Sequence, residues 1–319
     1  MEHPIISIVM PVFNTGSYLS EAIDSVLQQQ PIDGCAVPSY ELIIVDDNST
    51  DPETLAILDS VPRLDPRIRI FKNEREKGPA GGRNTGILHA QGAWIGFLDS
   101  DDMWLPNALA VRWCFILDNP DAKWVGANHY LLKPTLELVI PPLSKRSPLL
   151  YAAIRKDYDA GRASRLARPV EMFAKDCLLQ TGTVLLDREL LLAKGMFDEE
   201  LRRAEDYHLW FKCALDNDLW MLPFDVVVYR IHPGSLTHGD DPKYLYEDRM
   251  IALLLQDPSF KRYGNLLRER LDLVLRDHCD HYRSQKFYGT AFHWASEWVA
   301  KRPLASAAWR QLLASVLRI

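Results

Sequence analysis

The run Tyr40-Glu41-Leu42-Ile43-Ile44-Val45-Asp46-Asp47-Asn48-Ser49-Thr50-Asp51 decides the architecture. Residues 40–45 are a short apolar stretch of the kind that forms a buried strand, and the polar tail after them is dense in turn and N-cap residues. Outward from it, similar units repeat. Residues 5–10 are strand-like and end at Pro11. An amphipathic helix follows, with Leu19, Ala22, Ile23, Val26 and Leu27 on one face. Residues 67–71 read as a third strand, 82–91 as a helix, 93–98 as a fourth strand and 106–117 as the next helix. This alternation predicts an α/β protein: a parallel sheet with helices on both faces.

Beyond residue 130 the pattern loosens. Residues 134–170 hold several prolines without a clean period and are expected to make an excursion over the sheet. Residues 183–186 and 226–231 are strand-like, with an acidic helix at 203–215 between them. After Pro242 the spacing is helical: 244–256, 259–285, then a pair at 286–300 and 303–317. That pair resembles one helix–turn–helix repeat unit, but a single copy makes no solenoid, so a packed helical cap is expected.

The chain has 319 residues, 47% hydrophobic and 25% charged, which excludes disordered, collagen-like and disulfide-scaffold classes. No stretch approaches the roughly 18 apolar residues of a membrane span. The start, Met1-Glu2-His3-Pro4, lacks the basic cap of a secretory signal. The five cysteines are scattered and form no CxxC pair, which fits a reducing compartment and argues against structural zinc. A cytoplasmic location is expected.

The net charge of −6 is unevenly placed. Residues 144–169 carry seven basic and two acidic side chains, and residues 261–319 carry eleven and five. An acidic body with two basic segments is not a duplex-binding protein, so no nucleic-acid partner is expected. The basic segments are solvated faces, or they meet an anionic acceptor or a membrane surface. Oligomeric state is not legible.

In an open parallel sheet, ligands sit beyond the carboxyl ends of the strands. Asn14, Asp46, Asp47, the 74–82 loop, Asp99, Asp101 and Asp102 fall there. Acidic groups dominate, so a bare phosphate would be repelled unless a cation intervened. Asp99-Ser100-Asp101-Asp102 follows the apolar run 94–98. Carboxylates two apart at such a turn can converge, one on a divalent ion and the other on a hydroxyl. The cluster reads equally as an N-cap group before the next helix. Other phosphate chemistries fail. The first turn has one glycine, Gly16, too few for a dinucleotide fingerprint, and no basic residue for a nucleotidyl transferase. The stretch 78–84 lacks the lysine and hydroxyl of a P-loop, and no HExxH occurs. His278 and His281 are helix-spaced around Asp280, and a surface charge explains them better than a metal site.

Together these residues resemble the family 2 glycosyltransferases of the GT-A fold, inverting enzymes that use nucleotide-diphosphate sugars. Four fragments carry the resemblance. The first is Ile6-Ser7-Ile8-Val9-Met10-Pro11-Val12-Phe13-Asn14 with Tyr18-Leu19 and the helix after it. The second is the 41–51 run, and the third is Gly82-Arg83-Asn84-Thr85-Gly86 ahead of Asp99-Ser100-Asp101. The fourth is Glu205-Asp206 with Leu209 and Trp210 behind it. The resemblance implies a Rossmann-like, mixed but mostly parallel sheet flanked by helices, with a C-terminal helical extension. It divides the chain into a catalytic domain, 1–240, and the extension, 241–319. Within the first, 1–115 is the nucleotide-binding half and 116–240 the acceptor and catalytic half.

The resemblance also implies roles. Pro11, Val12, Phe13 and Asn14 border the nucleobase and Asp47 accepts from its ring N–H. Arg83 lies along the nucleotide, Asn84 fixes its loop, and Asp99 with Ser100 holds the ribose. Asp101 takes Mn²⁺ or Mg²⁺, with Asp99 and His232 as further ligands. His232 lies in the stretch 229–235 and is as well read as a surface-loop residue. Asp206 is the general base, with Glu205 beside it; the neighbouring Glu199 and Glu200 favour its protonation while Arg202 and Arg203 oppose it. Gln180 and Thr181 form either an acceptor wall or an ordinary strand start, and Trp104 either stacks on a sugar or belongs to the core. The implied partners are a nucleotide-diphosphate sugar, UDP-linked in most of the family, and a glycan or glycolipid acceptor at the cytoplasmic face, with peripheral membrane contact permitted by the basic segments. The alternative is a degenerate, non-catalytic subunit that binds nucleotide sugar or serves as a scaffold.

Overall fold

The computed structural model describes residues 4–139, 143–232, 234, 244 and 246–317. The readings at residues 1–3, at Pro233 and Ser235 of the His232 loop, and at the 240/241 and Pro242 boundaries lie outside these. The chain runs β1 (Ile6–Val12), α1 (Tyr18–Leu27), β2 (Tyr40–Asp46), α2 (Pro52–Ser60), β3 (Ile68–Lys72), α3 (Pro79–His89), β4 (Trp94–Phe97), β5 (Met103–Trp104) and α4 (Ala108–Asp118). It continues through β6 (Trp124–Leu132), β7 (Leu138–Val139), α5 (Leu143–Arg146), α6 (Pro148–Tyr158), β8 (Ser164–Leu166) and α7 (Val170–Phe173). Next come β9 (Leu185–Asp187), α8 (Arg188–Ala193), α9 (Glu205–Ala214) and β10 (Leu219–Arg230). Four helices close it: α10 (Glu247–Gln256), α11 (Gly264–Ser284), α12 (Tyr288–Lys301) and α13 (Ser306–Leu317).

The strands form one mixed sheet in the order β3-β2-β1-β4-β9-β6-β10-β5, with β7 on β6 and β8 on β10. β1 to β4 are mutually parallel where they pair, and β6 is parallel to β10. The short β9 is antiparallel to both β4 and β6. Two reversals restore direction, so β1, β2, β4, β6 and β10 all present their carboxyl ends at one edge. The sheet is thus mixed rather than wholly parallel. Its core is built as the sequence pattern dictates: Ile6, Ile8, Met10 and Val12 of β1 are buried, and α1 buries Leu19, Ala22, Ile23 and Val26. Each such side chain contributes about 1.5–3 kcal/mol by leaving water.

Several elements were not foreseen. β6 carries Gly126, Asn128 and His129 and shows no strict alternation, yet it pairs along β10 and makes the second half of the sheet. The 134–170 stretch contains α6, and α2 follows Asp51, whose carboxylate accepts from Thr54 N as an N-cap. Residues 181–183 form a 3₁₀ turn, so β9 begins only at Leu185.

By chain contacts the molecule divides into two compact units. The first comprises Met1–Glu200 with Leu209–His232, and the second Leu201–His208 with Pro233–Ile319. In the second, α11 is pinned to α10 by a buried ion pair in which Arg270 Nε and Nη2 both donate to Glu247 Oε2, at 3.0 and 2.7 Å. It is tied to α12 by Asp272, which accepts from Trp298 Nε1 at 2.7 Å. All five cysteines are free thiols. Among the described residues no helix is long and apolar enough to cross a membrane.

Candidate active site

The ligand edge of the sheet is assembled from strand ends. In the β1–β2 register Val12 lies opposite Asp46, so Phe13, Asn14 and Asp47 leave adjacent strands side by side. Asn14 adopts left-handed backbone (φ 50°), which asparagine tolerates better than most residues. Its amide oxygen accepts from the N–H groups of Thr50 and Asp51 at 2.7 and 2.9 Å. The Asn14 side chain therefore ties the β1 loop to the β2 loop. Phe13 is 47% exposed, with Lys77 Nζ 4.2 Å from its ring centroid. That ring is the one large apolar face the loop offers. Pro11 faces α3, where an added Cβ at Gly82 would meet the Pro11 Cβ at 3.1 Å.

Asp47 is buried, and its carboxylate accepts from Asn73 Nδ2 at 2.6 Å and Gly78 N at 2.8 Å. Each oxygen keeps a second lone pair. Behind it, burial acts to raise the Asp46 pKa, but hydrogen bonds from Lys72 and Ser49 outweigh it and hold it below the usual carboxylate range.

α3 delivers Arg83 and Asn84. The Arg83 guanidinium is buried and its Nη2 lies 2.6 Å from Asp99 Oδ1. Asn84 is a clamp on the Phe197–Glu199 segment: its amide donates to Phe197 O and Glu199 Oε1 and accepts from Phe197 N. Glu199 also pairs with Arg75. Burial alone would raise the Glu199 pKa, yet Asn84 and Arg75 together lower it.

After β4 the chain turns through Asp99–Asp102 and enters β5, which pairs antiparallel with β10 through Val227–Trp104 and Val228–Met103. This crossing carries the aspartates to the end of β10. Asp102 is fully enclosed and accepts from Arg230 N at 2.8 Å and Gln180 Nε2 at 3.1 Å. Its pKa is pushed well up, first by burial and then by Asp101 and Asp99. Arg230 reaches back, with Nε on Asp101 O at 2.9 Å and Nη2 on Glu21 at 2.6 Å. Asp101 Oδ2 meets His232 Nε2 at 2.9 Å across 131 residues of sequence. Burial and then Asp99 raise the Asp101 pKa, against the neighbouring imidazole. Ser100 Oγ lies 2.7 Å from Thr15 Oγ1 and locks the turn to the β1 loop. The structure thus gathers Asp99, Ser100, Asp101 and His232 at one place, with Asp47 at the end of the strand next to β1.

The structure bears on two readings that the sequence left open. Trp104 is 3% exposed, donates from Nε1 to Gly182 O at 2.9 Å, and has the Arg112 guanidinium 4.3 Å from its ring centroid. It belongs to the core, with no face for a sugar. Gln180 braces Asp102 and precedes a 3₁₀ turn, and Thr181 in that turn is buried, so neither stands on a strand edge. Glu205 and Asp206 form the first turn of α9, after Ala204 in left-handed backbone (φ 61°). Glu205 is buried, and Asp206 Oδ1 accepts from Tyr207 N at 2.6 Å. Asn73, Asp102, Glu199 and Arg230 were not singled out as site residues. Each is a support that only long-range pairing reveals. Among the described residues, no group of three or more His, Cys, Asp or Glu side chains is close enough to hold a metal unaided.

The fold is that of the GT-A glycosyltransferases, and comparison with known proteins agrees. Residues 7–134 match the glycosyl transferase family 2 model. The chain is 26% identical to the Escherichia coli UDP-Glc:alpha-D-GlcNAc-diphosphoundecaprenol beta-1,3-glucosyltransferase WfgD over 90% of its own length and 100% of that protein's. Some curated relatives are longer, and the chain spans only 38% and 35% of two from Rickettsia. Among solved structures, Staphylococcus aureus TarS 1-349 in complex with UDP-GlcNAc superposes with a TM-score of 0.63 at 18% identity, covering 98% of this chain and 87% of that one. Mannosyltransferase PcManGT from Pyrobaculum calidifontis, in complex with GDP-Man and Mn²⁺, gives 0.58 at 20% identity, covering 100% and 82%. The chain is a glycosyltransferase, and its residues 7–134 carry the family 2 pattern.

Proposed function

We propose that this enzyme moves a sugar from a nucleotide-diphosphate sugar, UDP-linked, to a hydroxyl of a glycan or glycolipid, with inversion in a single displacement, at the cytoplasmic face of a membrane. The observation that carries the reading is the meeting of Asp101 and His232 beside Asp99. The names of the relatives support it: one acts on a diphosphoundecaprenol-linked acceptor, and one neighbour is in complex with UDP-GlcNAc.

The donor set fits a divalent ion. Two ligands about 2.1 Å from one octahedral ion and at right angles are about 3.0 Å apart, and the Asp101–His232 separation is 2.9 Å. One carboxylate oxygen and one imidazole nitrogen suit Mn²⁺, while Mg²⁺ would rely on Asp101 and the substrate phosphates. Asp99 is held by Arg83 and makes no three-donor group with this pair, so further ligands would come from substrate phosphates and water. When bound, such an ion supplies positive charge against the diphosphate leaving group. The protein's own groups do the rest. Asp47 accepts from the base and the exposed Phe13 ring flanks it. Asp99, aimed by Arg83, accepts from a ribose hydroxyl. Asp206 takes the proton of the acceptor hydroxyl as the new C–O bond forms and the bond to the diphosphate breaks. Asp206→Asn tests the last role. Turnover should fall about 10²–10⁴-fold with UDP binding unchanged, and unchanged turnover removes Asp206 as the base.

A further inference from the structure

α13 is built inside out. Its buried positions are the small Ala308 and Ser315, while Trp309, Leu313, Val316 and Leu317, spaced i, i+4, i+7 and i+8 along one face, stand in solvent. Leu313 is 60% exposed and Leu317 64%, and Leu304, in the turn before the helix, is 98% exposed. A helix meant to face water places its large apolar groups inward. Single exposed leucines are ordinary, but an apolar stripe of four with a tryptophan is a contact surface.

The charge around the stripe says what it meets. From Trp298 to the last residue the sequence holds four basic side chains and no acidic one. Lys301 is paired with Asp248 and Glu297, and Arg302 with Asp272. Arg310, next to Trp309, has only the neutral Ser306 hydroxyl at 3.4 Å among its described polar contacts. Trp309 has one polar handle, its Nε1 on Pro303 O at 2.9 Å, and an otherwise half-exposed ring. Between α12 and α13 a hollow of about 470 Å³ is lined by Asp272 as well as by Lys301, Arg302, Trp298, Pro303 and Leu304. A tryptophan-bearing apolar stripe bordered by cations, on a helix too short to span, matches the interfacial zone of an anionic bilayer.

We propose that α13 docks this enzyme on an anionic lipid surface, with Trp309, Leu313, Val316 and Leu317 entering the headgroup–acyl boundary and Arg310 meeting lipid phosphates. This deepens the glycolipid reading of the acceptor, but binding to vesicles needs neither donor nor acceptor, so either claim can fail alone. The test is co-sedimentation of the full chain with phosphatidylglycerol–phosphatidylcholine vesicles and with pure phosphatidylcholine, at low and high salt. Anionic vesicles should capture the protein, with partition reduced several-fold in high salt and at least about tenfold in Trp309→Ser/Leu313→Ser. Both positions are exposed, so the fold should be kept. Arg310→Glu, which leaves the apolar stripe intact, should weaken capture by anionic vesicles alone. Leu64→Ser, at a 76% exposed leucine elsewhere, should change nothing. Absence of vesicle binding overturns the proposal, as does binding that the double variant retains. So does a dimer in lipid-free sedimentation velocity that the double variant abolishes, since the stripe would then belong to a second copy.

Discussion

Gly86→Ala probes the packing that aims Arg83 at Asp99. α3 lies so close on β1 that a Cβ at Gly86 would stand 2.3 Å from Val9 Cγ1 and 3.0 Å from Cγ2. Val9 is fully buried and β-branched, so it cannot swing clear. Forcing a methyl into such a core costs about 1–3 kcal/mol, and replacing glycine by alanine in a helix returns about 1 kcal/mol. The net loss is up to about 2 kcal/mol, or roughly 4–8 °C in Tm for a domain of this size. Val9→Ala removes the obstructing methyls. In that background Gly86→Ala should lose its penalty and keep only the gain, giving a coupling of about 1–3 kcal/mol. Urea unfolding of the four proteins, read as midpoints at constant slope, measures it. UDP binding should weaken in Gly86→Ala and recover in the double variant, because Arg83 rides on the same helix one turn earlier. Equal destabilisation in both backgrounds, or none in either, would refute the packing argument.

Two further outcomes are expected. Trp104→Phe leaves Gly182 O without its indole donor and should cost about 1–3 kcal/mol of stability with the acceptor KM unchanged; a raised KM at full stability would return Trp104 to the acceptor site. Lys72→Met removes the ion partner of buried Asp46. Because the folded-state pKa of Asp46 is lowered, the stabilisation is fully present above its unfolded value of about 3.9 and is lost as pH falls through the folded value. The variant should therefore be less stable than wild type at pH 7, by no more than about 1 kcal/mol since the lysine is largely exposed, and the difference should close in strong acid, as pH falls through the lowered folded-state value. A difference that is the same at both pH values contradicts this role for Lys72.

Strands β1, β2 and β4 were legible because a strand buried on both faces writes itself as a compact apolar run, as 40–45 and 94–98 do. β6 was not, because Gly126, Asn128 and His129 break that run and its strand character comes from pairing with β10. Asp47, Asp99 and Asp101 were visible as polar residues at strand ends, a position that carries its own meaning in such sheets. What brings His232 to Asp101 is the return of β5 onto β10, a pairing whose partners lie more than a hundred residues apart. Trp104 stayed undecided for the same reason: local sequence places it one turn past the aspartates, and the β5–β10 pairing turns it into the core. Asp102 and Arg230 work through partners far away in sequence, and no short motif announces such supports.

Calorimetric titration of UDP into the protein, with and without Mn²⁺, tests the cation-bridged site most directly. Wild type should bind UDP at least about tenfold more tightly with Mn²⁺, Asp101→Asn should lose that gain, and His232→Ala should lose part of it. Equal affinity with and without the ion, or a full response to Mn²⁺ in Asp101→Asn, would contradict the account.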